Sequence, residues 1–308
     1  MFKLPAKPTA GAEVHELADL AELMAWANRS VSAREILALL GREGENDDNE
    51  GCEDDDDRNA DAFGDVANEF EYRQMACAGR YPFSLDSTGN VLRYQPTDMV
   101  SSWLYGYLLL STRLNMKADR THAGIDGTTI LEEISAIGLQ QYLGPERARA
   151  LVFGTALGSG NFPGRVTMLC DQLGEGFQYK NNYKLPNTAK DDKLDAVAWI
   201  PFADQKTCKV VIFGQCKTGT AWSEQLCHLR PENFIKRWIE IPFVLEPLRA
   251  YCVSESANHA RWSSYAIDGG LLFDRCRLVD CCGTIEASLY KRIVKWSKAA
   301  LKFAKATL

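Results

Sequence analysis

Two apolar runs joined by a short polar segment constrain the fold more than any other feature of the chain. Residues 193–219 read KLDAVAWIPFADQKTCKVVIFGQCKTG. Leu194–Phe202 and Lys209–Cys216 are rich in β-branched, aromatic and other apolar residues, and they predict two strands closed into an antiparallel hairpin by ADQKTC. Around this hairpin the spacing is mostly helical. EVHELADLAELMAWAN and SAREILALLG predict two helices, the second opened by Ser32 and stopped at Gly41. DAFGDVANEFEYRQMACAG and TDMVSSWLYGYLLLSTRLNM predict two more, separated by the turn signal STGN. DGTTILEEISAIGLQQYLG is a strong fifth helix, with Asp126 or Thr128 as N-cap and Gly144 as C-cap. A glycine-rich, loop-rich stretch then runs to Lys190. Within it LGSGNFPG, Leu157–Gly164, reads as a loop, because its glycine spacing does not suit a dinucleotide site and Pro163 would interrupt a following helix. After the hairpin, TAWSEQLCHL and PENFIKRWI read as helices, with Pro231 at a first helical position. LRAYCVSE and LLFDRCRLVD read as strand-like segments, and the chain closes on a helix. This alternation specifies a mixed α/β domain.

Length and charge set the wider frame. At 308 residues the chain can form one large domain or two smaller ones. The texture changes near Gly124, which suggests a helical extension over 1–120 and a second domain over 121–308. The net charge of −6 looks wrong for a nucleic-acid binder, but Arg42–Asp61 (REGENDDNEGCEDDDDRNAD) holds much of the acid and reads as a solvated linker. At the other end, LYKRIVKWSKAALKFAKATL carries Lys291, Arg292, Lys295, Lys298, Lys302 and Lys305 with no acid. Nucleic acid is therefore not excluded as a partner. The ten cysteines include no CxxC pair, so they read as buried reduced thiols rather than a zinc site. The four histidines show no HxH or HxxxH pair and read as structural. WLYGYLLL, Trp103–Leu110, is too short to span a bilayer, and no signal-peptide pattern opens the chain. The expectation is a soluble, cytoplasmic protein without a membrane partner.

Polar residues in the hairpin need a purpose. Strand alternation puts Gln215 and Lys217 on one face and Gly214 and Cys216 on the other. The antiparallel register sets Asp195 opposite residues 215–217. A carboxylate, an amide and an ammonium then converge at one end of the hairpin, which suits a hard divalent cation and a phosphate ester. Asp195 would supply a carboxylate, Gln215 its side-chain carbonyl and Cys216 its backbone carbonyl. Lys217 would orient a water or neutralise charge growing on phosphate. A further carboxylate is wanted, and the fifth helix offers Glu132 or Glu133. The helical wheel set by Ile130, Leu131, Ile134 and Ile137 favours Glu133.

Asp195, a hairpin spacer and Gln215-Cys216-Lys217 together resemble the PD-(D/E)xK nuclease superfamily, in particular its restriction-endonuclease-like branch, where Gln may replace the acid of the last motif. DGTTILEEISAIGLQQYLG resembles that branch's first core helix, and matching Leu131–Glu132 to its apolar–Glu pair selects Glu132. The resemblance spans Gly124 to Leu229. It departs from the family pattern at Leu194, where the superfamily has proline, and in the long interval from Glu132 to Asp195. What it implies is a mixed sheet flanked by helices and an endonuclease that hydrolyses phosphodiester bonds of DNA. Mg²⁺ is the implied cofactor, with Mn²⁺ substituting, and Glu132, Asp195, Gln215 and Cys216 as ligands. Glu132, Asp195, Gln215 and Lys217 are the implied catalytic set. A role in bacterial antiviral defence follows by analogy, with a regulatory protein partner engaging the N-terminal extension and a homodimer as a possible assembly. The alternatives are a ribonuclease and a non-catalytic nucleic-acid-binding or scaffold subunit.

Overall fold

Ten α-helices and ten strands account for most of the residues described by the computed structural model, which are 2–9, 11–41, 54–153, 161–185 and 192–306. They fall into two units. The first comprises Met1–Ile125, Glu255–Asn258 and Arg275–Leu308, and the second Asp126–Ser254 and His259–Asp274. The first segment of the first unit ends at Ile125, where the expectation was a division at 120/121. The C-terminal basic helix, expected in the second domain, belongs instead to the first unit.

In the first unit, α1 (Val14–Asn28), α2 (Ala33–Gly41), α3 (Asp54–Ala76) and α4 (Met99–Arg113) are joined by α9 (Arg275–Cys281) and α10 (Ala287–Lys305). Ser32 and Glu35 open α2 with a reciprocal capping box: the Glu35 backbone N–H donates to Ser32 Oγ (3.2 Å) and the Ser32 N–H to Glu35 Oε2 (2.7 Å). A small antiparallel sheet, β1 (Ser30–Ser32), β3 (Val91–Tyr94) and β2 (Phe83–Leu85) in that order, folds around STGN. STGN is therefore a hairpin turn rather than a helix–helix connection. The acidic run also differs from expectation: α3 begins at Asp54, so the end of the run is helical rather than a linker. Residues 42–53 lie outside the described residues.

The interior of this unit is ionic at its centre. Every residue of α1 from His15 to Trp26 is buried, Asp19 and Glu22 included. Arg73 of α3 donates to Asp19 (2.7 Å), Glu22 (2.8 Å) and Glu69 (2.7 Å). Arg113 of α4 donates through Nε to Asp19 (2.7 Å), and Arg275 of α9 makes a two-pronged contact with the same carboxylate (2.8 and 2.9 Å). The Tyr81 and Tyr105 hydroxyls donate to Glu22 at 2.6 and 2.9 Å. Each charge is matched by an opposite one and by directed hydrogen bonds, the condition under which buried ions are tolerated.

The second unit is a helix–sheet–helix sandwich. Its five strands lie in the order β10 (Leu271–Phe273), β9 (Leu248–Val253), β8 (Val211–Lys217), β7 (Ala196–Trp199) and β6 (Arg149–Val152). The β6–β7 and β7–β8 pairs are antiparallel, and β8–β9 and β9–β10 are parallel, so the sheet is mixed. On one face Val197, Trp199, Val211 and Phe213 form an apolar core with Val166 and Leu169 of α6 (Phe162–Leu173) and Phe234 and Trp238 of α7 (Pro231–Trp238). Against the other face lies α5 (Gly127–Leu143), capped by Asp126, whose carboxylate accepts from the Thr128 N–H at 2.9 Å. Gly214 makes that packing possible: a Cβ there would stand 2.9 Å from Leu139 Cδ1.

Three local elements differ from those the sequence predicts. Pro163 does not interrupt a helix but sits in the first turn of α6, with Asn161 as N-cap, where its missing N–H costs nothing. TAWSEQLCHL forms only a single 3₁₀ turn at Ser223–Gln225. LLFDRCRLVD divides into β10 and the start of α9. The remaining short elements are strands β4 (Thr121–His122) and β5 (Ile125–Asp126) and helix α8 (Trp262–Gly269). Among the described residues no helix is long and apolar enough to cross a membrane.

Candidate functional site

The hairpin register is the expected one. Ala196 pairs with Gly214 across β7 and β8, which brings Asp195 to the level of Gln215. The Asp195 N–H donates to the Gly214 carbonyl (2.9 Å), and its own carbonyl accepts from the Phe153 N–H (2.8 Å), so its backbone is held from both sides. Asp195 Oδ2 accepts from the Cys216 N–H at 2.7 Å. The half-buried carboxylate is thereby fixed at the peptide between Gln215 and Lys217. In an extended strand the carbonyl of a residue points the same way as its N–H. The Cys216 carbonyl therefore faces the same edge, beyond the point where β7 ends.

Gln215 is the unusual member. It is fully buried, yet neither Nε2 nor Oε1 has a hydrogen-bond partner. Leaving a buried amide unpaired costs about 1–3 kcal/mol. Such a cost at a strand end beside a fixed carboxylate is what an amide awaiting a ligand would carry. Lys217 is partly exposed, and its ammonium makes no hydrogen bond or ion pair among the described residues. The Cys216 thiol is held far above its ordinary range by burial, reinforced by a hydrogen bond with Cys252 and by the Asp195 carboxylate. The Ser135 hydroxyl of α5 lies near this thiol. A thiol kept protonated is a poor ligand for a hard cation, so the donor that Cys216 offers is its carbonyl.

Tyr251 and Cys252 carry no signal in the sequence that ties them to this site. They stand beside Gln215 and Cys216 on β9 because that strand pairs in parallel with β8. Burial raises the Tyr251 hydroxyl, the Asp195 carboxylate adds to it, and the group donates to the Trp222 carbonyl at 3.3 Å. Parallel pairing joins segments distant in sequence and leaves no local signal.

The two glutamates are placed by α5. Leu139 lies at Gly214 and Ser135 beside Cys216, so the helix runs back along β8 at matching pace, about 6 Å against about 6.6 Å. One turn earlier, Glu132 comes level with the Lys217 end of the strand. At about 100° per residue it is turned about 60° from Ser135, whereas Glu133 is turned about 160° away. Both are half-buried. Glu132 is on the α5 side of β8, while alternation puts Gln215 and Lys217 on the other. Among the described residues no three His, Cys, Asp or Glu side chains gather into a metal-holding group. The structure thus brings Asp195, Gln215, Cys216 and Lys217 to one strand end, and α5 sets Glu132 level with that end from the opposite face of the sheet.

A hollow of about 440 Å³ opens on the approach to β7, lined by Lys193, His228, Arg230 and Arg237 with Asp192. Asp192 accepts from the Trp238 indole N–H at 2.5 Å and pairs with Arg237 at 3.5 Å, so Lys193 and Arg230 carry the net positive charge of the lining. Compared with protein-family models, curated proteins and solved structures, the chain matches none.

One prediction arises directly from Gln215. Replacing it by leucine removes an unpaired amide while keeping its bulk, so Tm is expected to rise by a few degrees while any activity of the site is lost. Differential scanning calorimetry checks the first part. A fall of several degrees would show the amide to be a structural partner instead.

Proposed function

We propose that the second unit is a restriction-endonuclease-like nuclease core that hydrolyses phosphodiester bonds, DNA first, with a divalent cation. The observation that carries this reading is the Asp195 carboxylate fixed at the Cys216 N–H beside the orphaned, fully buried amide of Gln215. The donor set fits Mg²⁺: one carboxylate, one amide carbonyl and one strand-edge backbone carbonyl, all oxygen, with room in the coordination shell for water and substrate. When bound, the cation supplies Lewis-acid polarisation of a phosphoryl oxygen. The chain's own groups do the rest. Asp195 carries the fixed negative charge, and Gln215 orients its carbonyl without competing partners. Lys217 offers a free ammonium to the charge that grows on the phosphoryl oxygens. Lys193 and Arg230, beside the Arg237–Asp192 pair, provide the cationic approach a nucleic-acid backbone needs.

Purified protein incubated with duplex DNA, single-stranded DNA and RNA, with Mg²⁺ or Mn²⁺, tests this reading. Metal-dependent cleavage of DNA that a chelator stops is the expected result. Cleavage of RNA alone would make it a ribonuclease, and binding without cleavage of any substrate would make it a non-catalytic module. In the same assay Glu132→Gln is expected to reduce the rate more than Glu133→Gln, since only Glu132 turns toward the strand end. The reverse ranking would remove Glu132 from the set.

A further inference from the structure

The other end of the same strands holds a second cationic cavity. Lys209 precedes β8 and Lys217 closes it, so the two stand about 26 Å apart along the strand. The cavity has a volume of about 600 Å³ and includes Arg147, Arg149, Lys209, Asp171, Trp199 and Phe202 in its lining. Three cations against one carboxylate leave it net positive by two charges.

Lys209 is the informative residue. It is only 4 % exposed, yet its ammonium has one hydrogen-bond partner, the Leu173 carbonyl at 2.5 Å. An ammonium has three donors, so two are unused at the wall of the cavity. A buried cation short of partners is costly unless an anion completes it. Arg147 and Arg149 are exposed, and their guanidinium groups form no ion pair or hydrogen bond among the described residues. Phe202 is half-exposed at 49 % and offers a ring face that an aromatic group can cover.

We infer that this cavity is a binding site for a nucleoside monophosphate, separate from the Asp195 site. The charge of a phosphate monoester, close to two negative at neutral pH, matches the net charge of the lining. Its oxygens suit Lys209 and the planar forks of Arg147 and Arg149. The base would lie on Phe202, and the volume falls within the range of small-molecule pockets. The same phosphate chemistry could come from a nucleic-acid strand, so the test carries both sources.

Calorimetric titration of the full chain with adenosine and guanosine monophosphates, inorganic phosphate and a short single-stranded oligonucleotide decides the matter. A mononucleotide is expected to bind at one site per chain and more tightly than phosphate. The exposed pair Arg147→Ala/Arg149→Ala, which removes no core contact, should weaken it by about tenfold or more. Phe202→Ala should weaken the mononucleotide and leave phosphate unchanged, and Asp195→Asn should change neither. Absence of mononucleotide binding, binding indifferent to the arginine pair, or binding confined to the oligonucleotide would each overturn the proposal.

Discussion

Asp195→Asn is expected to lower metal-dependent cleavage by about a thousandfold, equivalent to roughly 4 kcal/mol of transition-state stabilisation, while the protein keeps its fold. Asparagine preserves the acceptor. Its side-chain carbonyl can still take the Cys216 N–H that Asp195 Oδ2 accepts at 2.7 Å, so the hairpin end is not left with an orphaned donor. The negative charge is lost, and the second carboxylate oxygen becomes an amide donor. That separation makes asparagine a sharper probe than alanine, which would unpair the Cys216 N–H and confuse a structural loss with a chemical one. Steady-state cleavage rates measured beside circular dichroism and Tm check it. Wild-type rates in a well-folded variant would remove Asp195 from the chemistry.

Asp19→Asn is expected to destabilise the first unit by about 3–5 kcal/mol, a fall in Tm on the order of 10 °C. Burial alone would push the Asp19 carboxyl up, but Arg275, Arg113 and Arg73 together outweigh it and hold the group well below its ordinary range. The variant leaves three buried guanidinium groups around a neutral amide. The sign of the pH effect follows from the lowered folded-state value. The contribution of Asp19 is complete above the unfolded carboxyl range near about 3.9 and is lost as pH falls below it toward the folded value. The wild type should therefore lose stability on the acid side, and the variant should lose the part of that dependence due to Asp19. Thermal unfolding across pH measures both, and a Tm within a degree of wild type at neutral pH would contradict the account of this cluster.

The hairpin and the fifth helix were legible because their signals are local. The alternation in Leu194–Cys216 set faces and register, and Asp126 and Gly144 marked the ends of α5. The ionic centre was not legible. Asp19 and Glu22 sit in what reads as an ordinary amphipathic helix, and only the arrival of Arg73, Arg113 and Arg275 from elsewhere in the chain explains why they face inward. Nor could sequence show that Gln215 is unpaired, since that depends on Tyr251 and its neighbours across a parallel strand pair. The wheel that favoured Glu133 was centred on the apolar residues of α5 alone. The position of Ser135 beside Cys216 adds a reference outside the helix, from which Glu132 is turned less far than Glu133. Pro163 misleads because proline is disruptive inside a helix and harmless in its first turn.

The most direct test of the central claim is anomalous diffraction from crystals soaked in Mn²⁺. The expected result is a peak about 2.1 Å from an Asp195 carboxylate oxygen and from the Gln215 side-chain carbonyl, absent in Asp195→Asn crystals treated alike. An ordered wild-type structure with no peak at these oxygens, or with manganese bound only elsewhere, would contradict it.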